Sequence, residues 1–180
     1  SAGARHGLGL TADGTVRAWG GNVDGQCDVP APNSGFVGIA AGGDHVVSHS
    51  LGLKSDGSIV AWGDNTYGQC SVPSPNSGFV AVAAGSRHSL GLKADGSVVA
   101  WGTNYDWLGE YTGQCVTPAD NSGFVAIAAG GYHNLALKAD GSIVPWGSNY
   151  DWREDYGGES VVPVPNAGFV KIAAGNYHSL

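Results

Sequence analysis

A chain of 180 residues with Gly at 31 positions, 42% hydrophobic residues and 13% charged ones has no Gly-X-Y period, so it is not collagen-like. It also carries too much apolar surface to stay disordered. Eight Lys plus Arg against fifteen Asp plus Glu give a net charge of −7 and no basic stripe, which argues against nucleic acid or an anionic membrane surface as partner.

Taken in chain order, the same elements keep returning. Residues 1–8 (SAGARHGL) reappear as residues 173–180 (AAGNYHSL), so the chain spans four repeat periods plus an overlap. A Gly-Phe-Val triplet recurs at Phe36, Phe79, Phe124 and Phe169, a Trp-Gly pair at Trp19, Trp62, Trp101 and Trp146, and an Asp-Gly pair at Asp13, Asp56, Asp95 and Asp140. The shortest period is about 39 residues, within the range of repeat architectures. The approximate units are 1–35, 36–78, 79–123 and 124–168, in one array over 1–180, with 169–180 starting or closing a blade. No apolar run reaches the length of a membrane span, and Ser1 opens no signal-peptide pattern.

Within a unit the pattern predicts four short strands. Residues 79–85 (FVAVAAG) are small and apolar on both faces, as in a strand pressed between neighbours. Residues 89–93 (SLGLK) alternate, residues 94–97 (ADGS) supply a two-residue hairpin turn of the Asp-Gly type, and residues 97–101 (SVVAW) return. A fourth strand fits around residues 69–73 (QCSVP), with Pro73 at its end, where no ladder donor is needed. The expected fold is therefore all-β, a β-propeller of four-stranded antiparallel blades. A solenoid of β-coils is the structural alternative, disfavoured because hairpins make antiparallel meanders. The array is a segment of a larger propeller, a four-bladed ring in which residues 169–175 complete the blade begun by residues 1–30, or one half of an eight-bladed ring made by self-association of two chains.

Residues 61–102 (AWGDNTYGQCSVPSPNSGFVAVAAGSRHSLGLKADGSVVAWG) resemble a regulator-of-chromosome-condensation-type repeat, with W-G-x-N-x-x-G-Q, then A-A-G-x-x-H-S-L, then D-G-x-V-x-x-W-G. The short repeat and the Cys-x-Val-Pro after Gly-Gln make it more similar to the short-repeat bacterial form, which includes propeller-type β-lactamase inhibitory proteins. The resemblance implies a propeller, typically seven-bladed, that binds a protein partner. The sequence holds no nucleophile elbow, phosphate-cradling loop or zinc-protease motif, so a non-catalytic chain without a cofactor is expected.

Several residues invite a chemical reading. His6, His49, His88, His133 and His178 share one repeat position, which points to a hydrogen bond inside each blade rather than a metal ring. His45 falls in a four-residue insertion unique to the second repeat, making Asp44, His45 and His49 the metal-ligand candidates, in a spacing that is weakly diagnostic. The Asp of each Asp-Gly pair is turn chemistry, too far from its counterparts for paired acid–base work. Cys27, Cys70 and Cys115 are repeat-equivalent, with Ser160 in the fourth place, and suit free thiols that fill space.

The strongest candidate binding residues lie where repeats three and four each carry six extra residues. These insertions hold Tyr105, Asp106, Trp107 and Tyr111 in one loop and Tyr150, Asp151, Trp152 and Tyr156 in the other. Equivalent loops of adjacent blades should share a face, making an aromatic, acidic patch suited to a protein partner or to stacking on a glycan. The competing readings are two loops packed on each other as a lid, and blades that act only as spacers of a repetitive surface protein. An extracellular or cell-surface location is expected, and a cytoplasmic one is also compatible with the sequence.

Overall fold

The computed structural model describes residues 1–149 and 158–180. Its strands, in chain order, are β1 (His6–Leu10), β2 (Val16–Gly20), β3 (Phe36–Gly43), β4 (Ser48–Lys54), β5 (Ile59–Gly63), β6 (Phe79–Ala84), β7 (His88–Lys93), β8 (Val98–Gly102), β9 (Phe124–Ala129), β10 (His133–Lys138) and β11 (Ile143–Gly147). Among the described residues there is no helix, and none long and apolar enough to cross a membrane. The strands form four antiparallel sheets, β1-β2, β3-β4-β5, β6-β7-β8 and β9-β10-β11. The middle strand is buried on both faces. In β4, His49, Leu51 and Leu53 point one way and Ser50 and Gly52 the other, all of them buried.

The sequence pattern anticipated the strands better than their joints. Each hairpin closes over three residues rather than two: the Lys93 amide donates to Ser97 at 2.8 Å and the Gly96 amide to Lys93 at 3.0 Å, with Gly96 at a φ of 82°. This is a type I turn followed by a glycine bulge. Asp95 holds it by accepting from the Ser97 amide (2.9 Å) and hydroxyl (2.6 Å), and these bonds keep its carboxyl below the usual range.

The expected fourth strand, residues 69–73, carries no strand assignment. The outer edges of β2, β5, β8 and β11 are met by side chains instead. Asn121 accepts from the Val98 amide and donates to the Val98 carbonyl, both at 2.8 Å, and Asn33, Asn76 and Asn166 do the same for Val16, Ile59 and Ile143. An Asn side chain thus reproduces the donor and acceptor of a neighbouring strand. At the far end, Ala173 and Leu180 exchange backbone bonds of 2.9 and 2.8 Å with each other. The β1-β2 sheet remains two-stranded.

The apolar core lies between sheets. Leu51, Leu53 and Ile59 of the second sheet pack against Phe79 and Trp101 of the third, and Leu90, Leu92 and Val98 of the third against Phe124 and Trp146 of the fourth. Leu8 and Val16 meet Phe36 and Trp62 in the same manner. Each slab of core thus needs two consecutive repeats, as in other repeat architectures. Trp62 and Trp101 are buried, whereas Trp19 of the first sheet is 59% exposed.

A hydrogen-bonded relay stitches each interface, and it corrects the expectation that the repeat histidines bond within their own blade. His49 Nε2 lies 3.0 Å from Ser89 Oγ in the next repeat. Ser89 Oγ in turn donates to the Gln69 carbonyl at 2.8 Å, which also accepts from Trp101 Nε1 at 2.9 Å. The same circuit runs from His6 through Ser50 to the Gln26 carbonyl and Trp62. From His88 it passes through Asn134 to the Gln114 carbonyl and Trp146. Because the serine's only proton goes to the carbonyl, the imidazole must carry a proton on Nε2, and burial keeps the ring from taking a second one on its unpartnered Nδ1. Asn134 serves as well as a serine, since its oxygen accepts from His88 while its amide donates to Gln114.

The glycine before each histidine makes room for the ring. A Cβ on Gly85 would lie 2.1 Å from His88 Cε1 and 2.6 Å from the Gly130 carbonyl of the next turn. Five such Ala-Gly turns, one from each of the four repeats and one from the overlapping C-terminal segment, line an axial cavity of about 260 Å³, linked by Gly43 donating to Gly85 and Ser86 to Gly131.

Burial holds His49 at about 3, and His88 and His133 at about 4, against 6.5 for the free ring. The unfolded chain therefore binds protons that the folded one refuses, so stability is full above 6.5 and is lost as pH falls towards the folded values. The urea midpoint is expected to be level from about pH 8 to 7 and to fall between about 6.5 and 5, above the range where free carboxylates titrate. A midpoint that stays level through that window contradicts neutral, buried rings.

Candidate functional site

The site is built where the second and third repeats depart from the common unit. In the second, the four-residue insertion makes a tight loop between β3 and β4. Asp44 organises it: its amide donates to Val47 at 2.9 Å, and its Oδ1 accepts from the Val46 and Val47 amides at 2.7 and 3.0 Å. Its Oδ2 forms an ion pair of 3.0 Å with Arg87 Nε, and both side chains are nearly buried, at 13% and 7% exposed. Both oxygens of Asp44 are thus committed, His49 faces Ser89, and His45 is exposed. The three metal-ligand candidates do not converge, and among the described residues no group of three or more His, Cys, Asp or Glu stands close enough to hold a metal ion.

In the third repeat, residues 104–112 fold into a miniature hairpin. Tyr105 bridges Tyr111, the Thr112 amide donates to Asn104 at 2.8 Å, and the Asp106 amide to Glu110 at 3.0 Å. Asp106 Oδ1 closes the tip by accepting from the Leu108 and Glu110 amides at 2.8 and 2.9 Å. The rings of Tyr105 and Tyr111 meet edge to face, 5.6 Å apart. Backbone and carboxylate together fix this loop while Tyr105, Trp107, Leu108 and Tyr111 remain 45–62% exposed. The result is a preorganised apolar display.

Arg87 ties the two loops together. Besides Asp44, it donates from Nη1 to the Asp106 carbonyl at 3.4 Å and lies 4.5 Å over the Tyr67 ring. In front of it opens a cavity of about 590 Å³, bounded by Asp44, His45 and Val46 on one side, Trp107 on another, and Tyr132, Asn176 and Tyr177 from the next two repeats. Burial raises the Tyr132 phenol well above its ordinary range, so its hydroxyl stays protonated.

Of the residues singled out in the sequence, the structure brings Trp107, Asp106, Asp44 and His45 to one place, with Tyr105 and Tyr111 on the adjoining hairpin. Tyr150, Asp151, Trp152 and Tyr156 lie outside the described residues. Arg87, Tyr132 and Tyr177 were not singled out, although all three fill the position just before the repeat histidine with a large side chain. The three cysteines are free; each thiol donates to a carbonyl, those of Gly21, Asp64 and Thr103. Burial pushes Cys70 and Cys115 up to about 12, and Ser160 donates to Ser148 in the matching place.

Stacked antiparallel sheets around an axis, sharing cores between neighbours, define a repeat β-propeller. The sequence profile of the regulator of chromosome condensation (RCC1) repeat matches residues 1–26, 36–69, 79–106 and 124–151, and the chain belongs to that family. Among solved structures, it is similar to the CRINKLY WD40 ectodomain of the Arabidopsis thaliana receptor kinase ACR4, at 26% identity and a TM-score of 0.68, covering 99% of this chain and 56% of that one. It is similar to the receptor kinase CR4 ectodomain of Physcomitrella patens, at 25% identity and a TM-score of 0.73, covering 96% and 45%. Saccharomyces cerevisiae Prp20p shares the fold at 22% identity and a TM-score of 0.72, covering 98% and 53%. The chain spans about half the length of these proteins. A search of curated protein sequences finds no match.

Arg87→Leu is expected to cost about 3 kcal/mol in urea unfolding, because it strands a nearly buried carboxylate. Adding Asp44→Asn should restore part of that loss. Equal costs for the single and double variants would contradict an ion pair that ties the loops.

Proposed function

We propose that the chain is a non-catalytic scaffold that binds a protein partner through the face carrying the Tyr105–Tyr111 hairpin. The observation that carries this reading is the convergence of two departures from the repeat. The Asp44 loop and the hairpin come from different repeats, yet Arg87 binds both, and the apolar side chains so held face solvent. Rigid Trp and Tyr on such a support are the residues that anchor interfaces. Protein binding also agrees with the relatives: Prp20p is described by its binding to Gsp1p and histones and, as yeast RCC1, in complex with Kap60.

In this reading the four repeats are an arc of a larger propeller, and segments such as residues 69–73 complete its blades to four strands. The bonds from Ser89 and Trp101 to the Gln69 carbonyl set this segment beside the third sheet, where such a strand would lie. The short period and the Cys-x-Val-Pro segments favour the bacterial, secreted form of the family, and the two receptor ectodomains agree with an extracellular place. The chemistry of the chain favours binding over catalysis. His49, His88 and His133 are neutral and engaged, Cys70 and Cys115 are held protonated, and the hairpin carboxylates are spent on turns. Exposed rings also suit a sugar, which makes a glycan ligand the second reading.

The immobilised chain should retain a protein from extracts of its source, and the double variant Trp107→Ala, Tyr111→Ala should weaken that capture about thirtyfold or more, the scale of a lost hot spot. Capture unchanged by the double variant would sink the proposal. Glycan-array hits that vanish with Trp107→Ala would replace it with the carbohydrate reading.

A further inference from the structure

We propose that the cavity in front of Arg87 is an anchor pocket, and that it takes an aromatic side chain from a basic loop of the partner protein. This rests on the protein-binding reading and names the occupant. Its volume, about 590 Å³, is enough to hold a large side chain. Its walls come from separate repeats, with Val46 from the second, Trp107 from the third, and Tyr132 and Tyr177 beyond. The loops carrying Val46 and Trp107 are both fixed to Arg87 through Asp44 and Asp106, so the pocket is formed before anything enters it.

The lining selects the occupant. Among the described lining residues, three of the four apolar side chains are aromatic, and ring-on-ring packing adds to simple area burial. The charge of Arg87 is matched by Asp44 at 3.0 Å, so the floor does not call for an anion. Arg87 and Asn176 in the lining carry N–H donors, suited to the main-chain carbonyls of an inserted loop. The hairpin that supplies Trp107 has Asp106 and Glu110 as its charged residues, on a chain of net charge −7. Residues flanking the anchor are therefore favoured when basic, through complementary charge.

The test uses three N-acetylated, C-amidated tripeptides, Lys-Trp-Lys, Glu-Trp-Glu and Lys-Ala-Lys, titrated by ligand-observed NMR at low salt. They are offered to the wild type, to Val46→Trp, which places a large ring in the pocket from an exposed position, and to Trp107→Ala. Protein spectra confirm that each variant is folded. Lys-Trp-Lys should bind the wild type with a Kd on the order of 1 mM, as its size allows. The other two peptides should bind about tenfold more weakly, and both variants should lose Lys-Trp-Lys to a similar extent. Equal binding of Lys-Ala-Lys would show surface charge alone and overturn the proposal. So would affinity unchanged in Val46→Trp, or no binding of Lys-Trp-Lys at millimolar concentration. If the tripeptides fail while Trp107→Ala, Tyr111→Ala still loses the partner, the occupant is wrong and the protein-binding face stands. If Lys-Trp-Lys behaves as expected while that double variant keeps its partner, the pocket stands and the hairpin reading falls.

Discussion

One backbone carbonyl per repeat, that of Gln26, Gln69 or Gln114, receives both the indole N–H of the following tryptophan and the side chain that carries the previous histidine's bond. Ser50, Ser89, Asn134, Trp62 and Trp101 are buried, where an unmade bond is costly, so a shift of one repeat against the next strands polar groups. The apolar slabs between sheets attract without direction. The relay is directional, because it demands an imidazole proton on Nε2 and a glycine small enough to lie beneath the ring. It converts a stack of similar sheets into an assembly with a fixed spacing.

That fixed spacing makes the insertions informative. Loops that add four residues to one repeat and six to the next have no part in the relay, yet Arg87 joins them through an ion pair, a carbonyl bond and a contact over Tyr67. Their aromatic side chains are held without being buried. Rigid apolar surface lowers the ordering cost of association, which is why the face reads as a place for a partner rather than as a reaction site.

Much of the architecture was legible in the sequence because a repeated unit announces itself. Phe79, Trp101 and the alternation around Leu90 mark strands whose period and burial the structure reproduces. What the sequence concealed was mostly interaction between repeats. His49 looked like a residue that serves its own sheet, since a linear pattern does not show that Ser89, forty positions away, is its neighbour. The segment after Gln69 looked like a strand because Val72 and Pro73 fit one, but its carbonyl pairs with side chains of the next sheet. The aromatic hairpin was legible as an anomaly, while Arg87, which positions it, sat inside a repeat motif whose other positions are structural. A residue that keeps the repeat's register and changes its chemistry is hard to see when the eye follows the breaks.

The fixed spacing of the sheets depends most on the relay, and hydrogen exchange at the tryptophan indoles reads it directly. The indole protons of Trp62 and Trp101, each bonded to a buried carbonyl at 2.9 Å, should exchange only as fast as the sheets come apart, whereas that of the exposed Trp19 should exchange at nearly the rate of a free indole. Similar rates at all three positions would contradict the account.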